Sequence, residues 1–255
     1  MTLPNESKLK NLLEQWPAGT VATSAWLETM GISKQLRLSY HKSKWLEPLA
    51  NGAYKRPLDA IEWQGGMYAI QKQANLLIHP GGLTALAFQG AAHYLRLGGD
   101  KVYLFAQPRT ILPRWFKNYN WGAEVSFYRT KFLPDLLGLN SYEVRTFSIQ
   151  ISSSERAILE CLYLAPEAMD LVECYQILEG LVNLRPQLLQ ELLEKCTSIK
   201  VVRLFLYMAE KANHAWLKYL DKTKFNIGSG DRSIVKEGVY NASHKITIPR
   251  ELAEL

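Results

Sequence analysis

Residues 24–57 read SAWLETMGISKQLRLSYHKSKWLEPLANGAYKRP, and the helix and turn signals inside that stretch decide the fold. Thr23 or Ser24 is placed to cap a short helix through Ala25, Trp26, Leu27 and Met30, with Glu28 in its first turn and Gly31 beyond its end. Ser33 is placed to cap a second helix over 34–43. Two short helices joined by a glycine turn predict a helix-turn-helix. Asn51 and Gly52, both tolerant of positive φ, then predict a two-residue hairpin turn, and Pro57 ends its second strand. A hairpin directly behind the second helix makes the whole a winged helix-turn-helix.

Upstream, Leu9, Leu12, Leu13 and Trp16 fall at helical spacing and predict a preceding helix stopped by Pro17, Ala18 and Gly19. The helix over 34–43 is thus the third, the position of a recognition helix. On a helical wheel Ile32, Leu36 and Tyr40 face the core, and Lys34, Gln35, Arg37, Leu38, His41 and Lys42 point outward. Arginine suits a bidentate contact to guanine, glutamine to adenine, and lysine the phosphate backbone. The expected DNA-binding set is Ser33, Lys34, Gln35, Arg37, His41, Lys42 and Lys44, with Lys55 and Arg56 on the wing. The plainer reading is a solvated basic helix serving as a protein-interaction module.

The charge distribution agrees with a polyanion partner. Residues 1–60 hold eight Lys or Arg against five Asp or Glu, 61–150 nine against five, and 151–255 thirteen against fourteen, within a formal total of +6. A chain of 255 residues with 47% hydrophobic and 21% charged residues is globular and large enough for one or two cores. No apolar run approaches the roughly 20 residues of a membrane helix, and the start lacks the layout of a secretion signal, so a cytoplasmic location is expected. Cys161, Cys174 and Cys196 are widely spaced among apolar residues and read as buried thiols.

Two amphipathic helices, over 67–77 and 83–95, are expected to complete an N-terminal domain of residues 1–95, with Gly98, Gly99 and Asp100 marking the boundary. Gly81 and Gly82 at a helix start invite a phosphate-binding reading, but no Asp-x-Asp follows to hold a metal, so they read as a tight structural turn. Beyond residue 96, strand-like runs over 102–105, 124–129 and 142–151 precede helices over 154–164, 170–180, 186–195 and 199–220, with short strands near Ile234, Val239 and Ile246. Strands followed by a helical block predict an α+β second domain over 96–255, or mixed α/β if some strands run parallel.

Catalytic and metal-binding constellations are absent from the sequence. There is no G-x-x-x-x-G-K-[ST], G-x-S-x-G or H-E-x-x-H, and the five histidines are scattered, so no catalytic residue, metal or cofactor is expected. The loop Gly228, Ser229, Gly230, Asp231 and Arg232 reads either as an anion nest or as a plain turn. Lys200, Arg203, Lys211, Lys218 and Lys222 fall broadly along one side of the helix expected over 199–220, a face for RNA, an acidic protein or the neighbouring acidic helices.

Several blocks together resemble the AbiEi family of antitoxins. They are Gly31–Ser33 through Lys44, Trp45 and Leu46, with Asn51, Gly52, Ala53, Tyr54, Lys55 and Arg56; His79 to Leu86 with Gln89, Gly90, His93 and Tyr94; Ser154 to Leu159 with Gly180, Leu181 and Asn183 to Pro186; and Ser198, Lys200, Val201 and Arg203 to Leu206 with Gly228 to Arg232. The resemblance covers nearly the whole chain. It implies a type IV toxin–antitoxin protein whose winged helix represses its own operon by binding inverted repeats in the promoter. It also implies a C-terminal domain that counters a nucleotidyltransferase-like toxin, AbiEii, without requiring a stable complex. A monomer suffices for that, two copies occupying the repeats. Arg156, Arg185, Lys200, Arg203 and Arg232 are the candidates for antitoxin activity within the matching blocks. One departure stands out, since the family often has glycine where this chain has Lys44. The alternatives are a winged-helix regulator with a ligand-sensing C-terminal half and, third, an enzyme acting on the toxin or its product.

Overall fold

The computed structural model describes residues 4–90 and 101–255. The N-terminal unit is α1 (Pro4–Gln15), β1 (Ala22–Thr23), α2 (Ser24–Thr29), α3 (Lys34–Lys42), β2 (Glu47–Ala50) and β3 (Ala53–Lys55). The strands form one antiparallel sheet in the order β1-β3-β2. Thr23 caps α2 by accepting from the Trp26 amide, and Ser33 caps α3 by accepting from the Leu36 amide. Gly31, at φ +74°, lets the chain leave α2, with the Ile32 amide returning to the Leu27 carbonyl. At the hairpin Gly52 takes the positive φ and Asn51 does not. Leu12, Trp16, Leu27, Ile32, Tyr40 and Leu46 form the small core beneath.

The larger unit opens with α4 (Trp63–Tyr68), a π-helical turn over Ala69–Gln73, β4 (Ile78–Pro80) and α5 (Gly82–Phe88). Apart from Ala69, which packs with Val21 and Ala53, these segments do not join the core of the winged unit. Met67, Ile70, Ile78, Leu83 and Leu86 join the large core built by everything after Lys101. The helix expected over 83–95 is seen to Phe88, and its remainder from residue 91, with the glycine pair at 98 and 99, lies outside the described residues.

Then follow β5 (Lys101–Ala106), α6 (Arg114–Asn118), β6 (Glu124–Arg129) and the hairpin β7 (Leu139–Val144) and β8 (Phe147–Ser152). A helical layer comes next, of α7 (Ser154–Leu164), α8 (Leu171–Gly180), α9 (Pro186–Lys195) and α10 (Ile199–Lys211). The chain ends in β9 (Arg232–Ser233), β10 (Val239–Asn241), β11 (Ile246–Ile248) and α11 (Arg250–Glu254). β4 pairs antiparallel with β5, and β5 pairs parallel with β6, Leu104 lying opposite Phe127. β9 and β11 are also parallel. The fold is therefore α+β with mixed sheets. One expectation fails: the helix read over 199–220 stops at Lys211, because Asn213 adopts φ +51° and the chain continues as a 3-10 turn over Ala215–Tyr219.

The two units are hooked together through backbone. The Gln73 side chain accepts at Oε1 from the Thr23 amide at 2.8 Å and donates from Nε2 to the Val21 carbonyl at 2.8 Å, completing the free edge of β1 as another strand would. Gly65 packs so closely on Gly19 that a Cβ there would lie 2.0 Å from the Gly19 carbonyl oxygen.

Candidate functional site

The solvent face of α3 carries Ser33, Lys34, Gln35, Leu38, His41 and Lys42, all exposed, with Lys44 just past its end. Ile32 and Tyr40 are buried and Leu36 is half-buried, as the wheel requires. Among the described residues no ion pair engages Lys34, Lys42 or Lys44, so their charge is directed at solvent. His41 keeps its ring against the strand that follows, Nδ1 lying 3.1 Å from the Leu46 carbonyl.

Arg37 departs from the expected outward set. It is 6% exposed, and its guanidinium donates to the Ile32 carbonyl at 3.1 Å and to Glu28 at 3.0 Å. The wheel places it at the margin of the buried stripe. The unpaired carbonyl of the turn and the Glu28 carboxylate draw it inward, so it fastens α2 to α3.

The wing cations are also engaged within the protein. Lys55 pairs with Glu47, its cross-strand partner, at 3.2 Å and donates to the Asp59 carbonyl. Arg56 donates to the Leu13 carbonyl at 2.7 Å and lies over the Trp16 ring, which ties the wing to α1. The residue missed by the sequence reading is Trp45, 48% exposed beside α3. Lys44 explains it. At φ +57° it occupies the left-handed position of a Schellman turn, with the Lys44 amide on the His41 carbonyl and the Trp45 amide on the Tyr40 carbonyl. A left-handed residue there turns the chain sharply, which leaves the next side chain outside; it is also why glycine suits the position.

In the larger unit, four of the five predicted basic residues are engaged by groups of the protein itself. Arg156 donates to Glu160 at 2.8 Å and to the carbonyls of Pro134 and Leu137. Arg185 makes a two-pronged contact with Glu155, at 3.0 and 2.9 Å. Lys200 donates to the Tyr163 and Ala165 carbonyls, and Arg203, 2% exposed, to those of Ile227, Gly230 and Lys245. The expected basic face of α10 is therefore largely turned inward, and the glycine loop is held by Arg203 as a turn. Arg185 and Arg232 are the exposed members of the five, and of the two Arg185 is held by Glu155.

Glu160, fully buried, is the hub of this unit. It accepts from His79 Nε2 at 3.0 Å, the Gly82 amide at 2.9 Å, Ser152 Oγ at 2.7 Å and Arg156. Burial pushes its carboxyl up, but the bond from His79, the charge of Arg156 and the Ser152 hydroxyl outweigh it and hold it at about 2. Burial pushes His79 down, which keeps its ring neutral. The glycine pair at the start of α5 thus does bind an anion, and the anion is the protein's own: a Cβ on Gly81 would meet Glu160 Oε2 at 2.1 Å. The three cysteines are buried and unpaired, and burial raises each thiol. Among the described residues no cluster of His, Cys, Asp or Glu is arranged to hold a metal ion, and no helix is long and apolar enough to cross a membrane.

Two family models match the sequence end to end. One, described as transcriptional regulator, AbiEi antitoxin N-terminal domain, matches residues 5–97. The other, described as transcriptional regulator, AbiEi antitoxin, type IV TA system, matches residues 99–249. The chain belongs to the AbiEi antitoxin family. No curated protein matches this AbiEi sequence. Among solved structures it is similar to the RV2827C protein from Mycobacterium tuberculosis, with 14% identity and a TM-score of 0.56 over 96% of this chain and 92% of that one. At that identity the likeness shows a shared fold. The winged unit and the larger unit of this AbiEi protein are thus parts of one architecture, in which α3 presents cations that no acid among the described residues engages.

Proposed function

We propose that this AbiEi antitoxin represses its own operon by laying α3 in the major groove of operator DNA, and that the remainder of the chain neutralises a nucleotidyltransferase-like toxin of the AbiEii type. The observation that carries the DNA half is the solvent face of α3, where Lys34, Gln35, Lys42 and Lys44 stand exposed on a helix fixed from below by Ile32, Arg37 and Tyr40. Ser33, Lys34 and Gln35 occupy the N-terminal turn, the part of a recognition helix that reaches base edges. Lys42, Lys44 and His41, at the other end, address phosphates. Exposed Leu38 lies between and suits a thymine methyl. Lys55 and Arg56 act mainly by holding the wing at its angle to α1, so they position the interface more than they extend it.

For neutralisation the family membership is the support. The functional division we propose is a reader of about sixty residues and an antitoxin body comprising the rest. Arg232, exposed and unpaired, is the candidate contact there, whereas Arg156, Arg185, Lys200 and Arg203 shape the body that presents it. The test has two arms. Full-length protein is titrated onto the DNA upstream of its own gene and onto an unrelated duplex, and the chain is co-expressed with its adjacent toxin gene. Retarded migration of the upstream DNA alone, together with restored growth, is the expected result. Equal affinity for both duplexes contradicts operator reading, and growth arrest despite co-expression contradicts neutralisation.

A further inference from the structure

A second set of uncompensated cations lies far from α3 in the sequence, along β6. Val125, Phe127 and Arg129 alternate onto one face of that strand and line a hollow of about 700 Å³. Arg114 and Lys117 of α6 line its far wall. Arg129 also lines a second hollow of about 450 Å³, with Lys131, Arg232 and the Tyr163 ring. Arg129 is common to the two hollows, which together are called the trough. Among the described residues no Asp or Glu lines either. Arg114, Lys117, Arg129, Lys131 and Arg232 are all exposed, and none of their side chains makes an ion pair or a hydrogen bond with another described residue. Elsewhere in the body several basic groups are paired with acids: Lys101 with Glu124, Lys195 with Glu191, Lys222 with Glu210. Five cations in a trough left without counter-charge fit a polyanion.

The rings of the trough specify which polyanion. Tyr119 and Trp121, 4.6 Å apart and half-buried, line the larger hollow, and Tyr163 lines the smaller. Trp121 is fixed by its indole N–H on the Phe116 carbonyl, and Tyr163 is stacked on Phe132 at 4.3 Å. An acidic peptide gains nothing from ring faces, and a duplex keeps its bases stacked on one another. A single strand offers phosphates to the cations and unstacked bases to the rings. We propose that this trough binds a single-stranded nucleic-acid segment, at a site separate from the operator-reading face of α3.

The test uses full-length protein and fluorescein-labelled 12-nucleotide oligo(U), oligo(dT) and a 12-base-pair duplex of unrelated sequence, followed by anisotropy across a salt series. The doubly substituted Arg129→Ala/Lys131→Ala chain is expected to lose at least tenfold in single-strand affinity and to keep its affinity for operator duplex within twofold. Lys34→Ala/Lys42→Ala is expected to do the reverse, so the two sites fail separately. Both pairs are exposed, and unchanged thermal melting confirms the fold. Tyr119→Leu is expected to weaken single-strand binding several-fold with no change in salt slope, as loss of stacking requires. A preference between oligo(U) and oligo(dT) identifies the sugar that is bound. Undiminished oligonucleotide binding by Arg129→Ala/Lys131→Ala overturns the proposal. So does equal affinity of the trough for the unrelated duplex, or displacement of oligo(U) by a 12-residue poly-glutamate as effective as displacement by unlabelled oligo(U), which would make the occupant an acidic protein.

Discussion

Arg37, inside α3, and Lys44, just past its end, sit seven residues apart and act in opposite senses. Arg37 is a cation spent on structure, its guanidinium bridging the Ile32 carbonyl and Glu28. Arg37→Ala strands a buried carbonyl, which costs about 1–3 kcal/mol. Thermal unfolding is expected to fall, and binding of all DNA sequences to weaken alike; a loss confined to operator sequence with unchanged melting would place Arg37 on a base instead. Lys44, in contrast, is a charge held in a strained backbone at φ +57°. Lys44→Gly relieves roughly 1 kcal/mol of left-handed strain, so a higher melting temperature with weaker, less salt-sensitive DNA binding is expected. Unchanged DNA binding would show that the Lys44 charge is idle.

At the scale of elements, the caps and turns were legible because their signals are local. Thr23, Ser33, Ser153 and Asp170 each accept from amides two or three residues ahead, and each opens its helix where a side-chain acceptor precedes an apolar period. The wheel located Ile32, Leu36 and Tyr40 for the same reason. It could not locate Arg37, since hydrophobic period is blind to a polar group whose partners are a turn carbonyl and a carboxylate. The basic side of α10 misled in the same way: Arg203 finds carbonyls 24 to 42 residues further along the chain. Arg185 meets Glu155 across 30 residues and His79 meets Glu160 across 81, separations that no periodicity reports. Gln73 is another such link. Gln73→Leu is expected to leave the larger unit folded, to speed hydrogen exchange at the Thr23 and Val21 region, and to lower operator affinity by loosening the seat of the winged unit. Unchanged exchange there would mean that the Gly19–Gly65 contact alone fixes it.

For the whole molecule, the buried hub of Glu160 sets the response to acid. Its folded pKa of about 2 lies below the ordinary 4.5, so its contribution to stability is full above pH 4.5 and is lost as pH falls toward 2. His79, lowered by burial from 6.5, acts in the same direction one step earlier: below pH 6.5 the unfolded chain takes up a proton that the folded ring refuses. Urea midpoints are therefore expected to drop from pH 7 to 5 and again below 4.5. Glu160→Gln leaves Arg156 buried without its counter-charge, at a cost of about 3–5 kcal/mol, and is expected to flatten the lower drop while leaving the upper one. A variant that retains the full acid transition would move the titrating group elsewhere.

The account rests on the solvent face of α3 as the reader of operator DNA. The most direct measurement is a fluorescence titration of operator duplex with the wild-type chain and with Lys34→Ala/Gln35→Ala/Lys42→Ala, at several salt concentrations and with melting checked. Loss of the glutamine's base contact costs about 1–3 kcal/mol, and each lysine removed from a phosphate flattens the slope of log affinity against log salt by about 0.9. The account predicts at least a hundredfold weaker binding, a flatter slope and unchanged melting. Operator affinity equal to that of the wild type, with the fold intact, would contradict it and return α3 to the role of a solvated basic helix.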